Sequence, residues 1–389
     1  MYLTKEEERI YEGEEGWTRK KAMEILVAIG DINDASRLIP ITSAHLSGAS
    51  YKTIGDAFEF ISGLEGRVSV KSTLNPTGMD RERWNAMDVS EKFVVKQKEI
   101  LTAYEKLGVS LECTCVPYLI THKPKKGEHI AWAESSAVLY ANSVLGARTN
   151  MEGAPSALAA ALIGKTPFYG LHQAENRESE IRVCVKCAPA DVDYSALGFL
   201  IGNLVGSKIP MIELSPSSFP SKDELKHLSA ALGATGSIGM YHIKGITPEA
   251  DARGLPSEKI EIEKGDLKKL YEERAEVDVI AIGCPHCSAL ELRRICALLK
   301  AESKGRKVRR DFFIFTARAI KQRMLGVVKK IEEYGVKVIC DTCFVVSPAF
   351  EKYNSVVTNS GKMLRYVPLL CGSAEVSLGK TEECVRRAF

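Results

Sequence analysis

The chain reads as an α/β protein of mainly parallel sheets covered by helices, divided into two to three subdomains. Three observations predict this. In the second half, strand-like and helix-like segments alternate in a βαβαβ rhythm, which calls for parallel strands joined by helical crossovers. The strand-like segments are near-continuous apolar runs, such as VDVIAIG at 277–283 and DFFIFT at 311–316. Such runs suit strands buried on both faces. A length of 389 residues also exceeds what one ordinary core organises.

The elements follow in order. Thr4 with Glu7 has the spacing of a capping box, and 18–29 has helical apolar spacing. Residues 37–42 (RLIPIT) predict a strand, followed by a loop, SAHLSGAS, and a helix from about residue 53. A short strand is expected at 67–71. Residues 90–107 form an amphipathic helix with Phe93, Val94, Ile100, Leu101, Tyr104 and Leu107 on one face. A strand at 109–115, helices at 133–145 and 156–163, a strand at 180–187, a helix at 197–205 and a strand at 209–214 complete the first half. Then come helix 222–232, strand 239–243, helix 266–275, strand 277–282, helix 288–303, strand 311–316, helix 319–334 and strand 336–340. Pro and Gly punctuation around 214–221 marks a boundary, giving an N-terminal region 1–215 and a C-terminal region 216–389.

Composition narrows the function. Apolar residues make up 45% and charged residues 26%, ordinary values for a globular protein. A net charge of +3 argues against a nucleic-acid or anionic-membrane partner. No apolar stretch is long enough to span a bilayer. The start, MYLTKEEERIYEGEEGW, is too polar for a signal peptide, so a cytoplasmic location is expected. Eleven cysteines in such a chain favour metal binding over a disulfide framework.

Three of those cysteines sit where an apolar run stops: Cys115 in VSLECTC, Cys284 in VDVIAIGC and Cys343 in VKVICDTC. Strand ends of an α/β protein converge on one sheet edge, where ligands bind. Three thiolates there suggest a metal site with one position left for chemistry. Other readings of the same residues stay open at this point. Zinc could bridge two of the C-x-x-C pairs Cys184/Cys187, Cys284/Cys287 and Cys340/Cys343, although more than fifty residues separate Cys287 from Cys340. Cys284-Pro-His-Cys287 also has the form of a thioredoxin-like redox motif, which leaves Cys115 and Cys343 unexplained. Strand alternation puts Cys113 and Cys115 on one face and does not separate them. Cys296, Cys371 and Cys384 read as small buried hydrophobes.

The segments LECTCVPYL, GEHIAWAESSAVLYANSVLGARTN, EGAPSALAAALIGKTP, IGCPHCS and DTCFVVSP together resemble the catalytic part of aconitase X. The resemblance covers essentially the whole chain and implies an aconitase-like α/β fold. Members of the family are of two kinds. One carries a fused swivelling domain and acts on hydroxyproline; the other, archaeal, is split into two subunits and dehydrates mevalonate 5-phosphate. With Phe389 as its last residue, the chain leaves no room for a fused swivelling domain and resembles the large subunit of the split kind. The resemblance implies an iron–sulfur cluster, 4Fe-4S or its 3Fe-4S form, held by Cys115, Cys284 and Cys343. It also implies a small swivelling-domain subunit as partner and a phosphorylated hydroxy acid as substrate. Cys113, Cys287 and Cys340 then become neighbours of the cluster. A hydroxyproline-type dehydratase with its partner in trans, and outside that class a zinc- or thiol-containing interaction protein, are the rival readings.

Substrate-binding candidates follow. Gly48, Ala49 and Ser50 lie between a strand and a helix start, where backbone N–H groups can form an anion nest. The plain alternative is a βα turn. Asn75 and Pro76 begin the loop NPTGMD, which alone would read as an Asx-turn. Glu134, Ser135 and Ser136 open a helix and could simply cap it; within the family-like block they are expected to touch substrate. Lys362, in TNSGKM, supplies a cation, and its SGK lacks the spacing of a P-loop. The general base is expected from the small subunit. Within this chain His172 and His286 are the proton-handling candidates, with His242 as a further supporting group, although a lone histidine is more often structural. Arg148 and Asn150 would orient these groups or satisfy buried backbone.

Overall fold

The computed structural model describes residues 1–250, 254–271, 277–372 and 374–389. Three all-parallel sheets form its frame. The first orders its strands Lys71–Leu74, Ser43–Leu46, Ala131–Trp132. The second orders His242–Ile243, Pro210–Glu213, Ile181–Val185, Lys259–Ile262, and so draws strands from both sides of residue 215. The third orders Lys337–Ile339, Asp311–Thr316, Val279–Cys287, Ser355–Thr358, Glu375–Leu378. A separate antiparallel pair joins Leu38–Pro40 to Lys165–Pro167.

The third sheet shows why its strands are apolar throughout. Ile280 and Ile282 pack with Leu292, Ile295 and Leu299 of helix Ala289–Ser303. Val279 and Ala281 point the other way, into a cluster with Phe350 and Met363. Both faces are therefore covered, as crossover helices require. Each fully buried aliphatic side chain contributes roughly 1.5–3 kcal/mol. Helices form where caps and periodicity agree. Thr4 and Glu7 make the reciprocal capping box of helix Lys5–Glu12, and Ser90 caps helix Glu91–Lys106.

Several predicted elements shift. SAHLSGAS is not all loop: Ser43–Leu46 is the central strand of the first sheet and fully buried. Its small and polar residues concealed it. The strand of RLIPIT is only Leu38–Pro40, outside that sheet. Residues 109–115 form no strand. They lie beside Lys71–Leu74 through Ser110 N–H to Ser72 O and Thr114 N–H to Leu74 O. Cys113 adopts φ 47° and breaks the alternation. In consequence Cys113 and Cys115 do not share a face; they belong to different core clusters. Cys284 lies within strand Val279–Cys287 rather than beyond it, after a change of register following Ile282. Of the predicted helix 266–275, the structure has Lys264–Lys268, and 272–275 lie outside the described residues. Strands Lys259–Ile262, Ser355–Thr358 and Glu375–Leu378 were not predicted.

Candidate active site

The carboxyl ends of the first and third sheets bring the candidate residues together. Lys362 lies at the start of helix Gly361–Leu370, buried to 8% exposure. Its ammonium pairs with the Glu134 carboxylate and donates to Ser136 Oγ at 2.9 Å and Ser135 Oγ at 3.4 Å. Glu134 is the N-cap of helix Ser135–Leu139, accepting from Ala137 N–H at 2.7 Å. Burial alone would raise the Glu134 pKa, but Lys362 and the cap bonds bring it below the usual carboxylate value. Burial likewise opposes the charge on Lys362, and Glu134 outweighs it, so the amine is held protonated. Glu134 thus caps its helix and pairs with Lys362 at the same time.

Cys115, Cys284 and Cys343 all lie within electrostatic reach of Lys362. Burial pushes each thiol up to about 12, and the Lys362 ammonium draws all three back. Each of the three also feels another of the trio: Cys115 feels Cys284, Cys284 feels Cys343, and Cys343 feels Cys115. Cys184 pairs instead with Glu213, in the second sheet. Cys287 faces the cluster behind the third sheet, with Leu292 and Ile295.

His286 ties the three cysteine segments to one another. Its Nε2 donates to Thr342 O at 2.9 Å, beside Cys343. Its Nδ1 meets Thr114 Oγ1 at 2.9 Å, beside Cys115. Its backbone N–H donates to Cys115 Sγ at 3.3 Å. The residue itself stands two places after Cys284. Burial lowers the ring pKa to about 4, so it carries one proton, and the Thr342 carbonyl requires that proton on Nε2. Both nitrogens are thus committed. His172 lies elsewhere: its Nδ1 is 3.0 Å from His129 Nδ1, and its carbonyl accepts from Arg148. His242 donates to Arg177 O at 2.8 Å, also apart from the cysteines. Asn150 holds the turn at Tyr169 and Leu171. Arg148 and Asn150 thus satisfy backbone groups.

The glycine loop abuts the Cys343 loop, since Ser50 Oγ donates to Val346 O at 2.7 Å. Gly48 has φ 76°, and a Cβ there would come within 3.1 Å of Ala154 Cβ. The loop's carbonyls are engaged: Tyr104 OH donates to Ser47 O and Gly48 O, and Gln97 Nε2 to Ala49 O. Among the described residues, no protein group accepts from the N–H groups of Gly48, Ala49 or Ser50. Asn75 follows strand Lys71–Leu74, with its N–H on Leu46 O at 2.9 Å and its buried Oδ1 without a partner. Pro76 is buried beside it.

A clasp then joins the loop after Pro76 to the Cys343 loop. The Asp80 carboxylate accepts from Cys340 N–H at 3.0 Å, and the Asp341 carboxylate accepts from Arg81 N–H at 3.1 Å. Arg318 pairs with both carboxylates, each of which is fully buried.

Sequence reading missed Thr114, Thr342, His45 and Ser360, whose hydroxyl donates to the Cys284 carbonyl. The two Thr-Cys dipeptides, at 114–115 and 342–343, were a signal. His45, in the concealed strand, carried none.

With this geometry in view, comparison with known proteins assigns the class. Family models for the first, second and third domains of aconitase X match residues 1–175, 179–272 and 277–389. The chain belongs to the aconitase X family. More particularly, it is 52% identical to the phosphomevalonate dehydratase large subunit of Methanosarcina mazei, over 100% of this chain and 97% of that one. A cis-3-hydroxy-L-proline dehydratase of Hypocrea jecorina is 35% identical over 97% of this chain, which spans 66% of the relative. A crystal structure of Thermococcus kodakaraensis aconitase X in its holo-form superposes with a TM-score of 0.91, at 45% identity and full coverage of both chains.

Proposed function

We propose that this chain is the large subunit of a hydro-lyase that dehydrates (R)-mevalonate 5-phosphate to trans-anhydromevalonate 5-phosphate, in archaeal isoprenoid biosynthesis. One observation carries the reading: three buried thiols lie in the field of a protonated lysine, and the Gly48–Ser50 loop abuts the loop that carries one of them. The relatives at higher identity bear the corresponding name.

The residues fit an iron–sulfur cluster. Cys115, Cys284 and Cys343 would hold it, a backbone N–H already donates to one sulfur, and Lys362 offsets thiolate charge. Among the described residues, no three His, Cys, Asp or Glu side chains close on a single ion. When bound, such a cluster supplies Lewis-acid assistance to a departing hydroxyl.

The chain's own groups do the rest. The free N–H groups of Gly48, Ala49 and Ser50 bind an anionic end of the substrate. Asn75, Pro76 and Ser135 fix its orientation. Lys362 holds a carboxylate and is itself held by Glu134. In the elimination the C2–H bond breaks, its electron pair forms the C2–C3 double bond, and the C3 hydroxyl leaves as water after gaining a proton. His286 is fully engaged and His172 lies apart, so the C2 proton is taken by a base on the small swivelling-domain subunit.

The test is anaerobic purification with that small subunit, then iron and acid-labile sulfide analysis and a dehydration assay. Brown protein converting mevalonate 5-phosphate, and not cis-3-hydroxy-L-proline, is the expected result. Colourless protein holding zinc and no iron would overturn the reading.

A further inference from the structure

His45 lies fully buried in the central strand of the first sheet, paired in register with Thr73 on one side and Trp132 on the other. Its Nδ1 is 2.8 Å from Thr73 Oγ1. Two polar atoms nearby are buried without an aligned partner: His45 Nε2 and Asn75 Oδ1. The Asn75 side chain and, more weakly, the Thr114 backbone are nevertheless within hydrogen-bonding influence of the ring. The other end of the Asn75 amide, Nδ2, donates to no protein group among the described residues and is not among the buried orphans.

Hydrogen-bond accounting selects one arrangement. Burial keeps the ring neutral, at about 4, so one nitrogen carries the proton. The Thr73 hydroxyl has no partner besides His45 among the described residues. Were Nδ1 protonated, the Thr73 proton would be stranded, and the Nε2 lone pair would be met only by a turned Asn75 amide. With Thr73 donating to Nδ1, the proton sits on Nε2 and has a waiting acceptor in Asn75 Oδ1. Every buried group is then satisfied, as buried groups generally are. The reverse tautomer would turn the amide around and present its carbonyl instead.

We propose that Thr73 and His45 form a positioning relay that fixes the Asn75 amide, so that its NH2 donors face an oxygen of the anionic substrate. The relay makes the site select a hydrogen-bond acceptor at this point. This rests on reading Asn75 as a substrate-binding residue.

The test uses the assembled two-subunit enzyme. Asn75→Ala comes first and should raise KM for mevalonate 5-phosphate on the order of tenfold. Thr73→Val, nearly isosteric, should raise KM similarly, with kcat and iron content close to wild type. Thr73→Ser should restore KM. His45→Gln, which keeps a donor near the Nε2 position, should outperform His45→Leu. A normal KM in Thr73→Val, alongside a raised KM in Asn75→Ala, would overturn the relay and leave the substrate reading standing. A normal KM in Asn75→Ala would overturn both.

Discussion

Lys362 is a cation with 8% exposure whose counter-charge, Glu134, is 5% exposed. Removing either partner strands the other. Lys362→Met is expected to destabilise by about 3–5 kcal/mol, as breaking a buried pair does. It should also lower kcat/KM by about a hundredfold or more, through loss of a preset charge at the substrate. Chemical denaturation and steady-state kinetics check the two effects separately. The cysteines make a sharper set. Alanine at Cys115, Cys284 or Cys343 should each abolish bound iron, while Cys184→Ala should leave it intact. At this scale the sequence pattern was informative about type and weak about direction. Apolar runs ending in cysteine marked the trio. Nothing in ECTC signalled that Cys113 turns to positive φ and faces another core. His45 escaped notice because a buried histidine in a strand of small residues resembles a loop.

At the level of elements, the clasp sets the angle between the loop after Pro76 and the loop carrying Cys343. Each aspartate caps a backbone N–H of the opposite loop, and Arg318 neutralises both. Arg318→Met should cost about 3–5 kcal/mol in urea unfolding, since buried Asp80 loses its ion-pair partner and Asp341 keeps only Arg81. Arg318→Lys should recover only part, because a point charge does not span both. The pH dependence follows from Asp80. Burial would raise its pKa, but Cys340 N–H and Arg318 bring it below the usual value. A carboxylate depressed by folding contributes stability above its unfolded pKa of about 3.9 and loses it as pH falls through the lower folded value. The clasp should therefore hold at neutral pH and weaken only in acid, and Asp80→Asn should flatten that part of the acid-unfolding profile. The regular helices and the apolar strands of the third sheet were readable because packing and propensity agree there. Strand Ser43–Leu46 and the irregular 109–115 were not, because neighbouring chain segments decide them.

Across the whole molecule, the carboxyl ends of the first and third sheets carry the three cysteines, Glu134 and Lys362, while His286 is engaged at both ring nitrogens and His172 pairs with His129 elsewhere. The purified large chain should accordingly show no dehydratase turnover until the small subunit is added. Full turnover without it would be fatal to the two-subunit reading. Among the described residues, no helix is long and apolar enough to cross a membrane.

The brace made by His286 has a further consequence. Thr114, Thr342 and the Cys284 segment are held to one another by protein hydrogen bonds alone. These bonds run between protein groups and need no bound group to form. Loading should resemble seating a part in a finished socket, unlike small zinc domains that fold only as metal arrives. Chelation should bleach the protein yet leave a cooperative unfolding transition and unchanged far-ultraviolet circular dichroism. His286→Ala should turn that bleaching from slow to rapid.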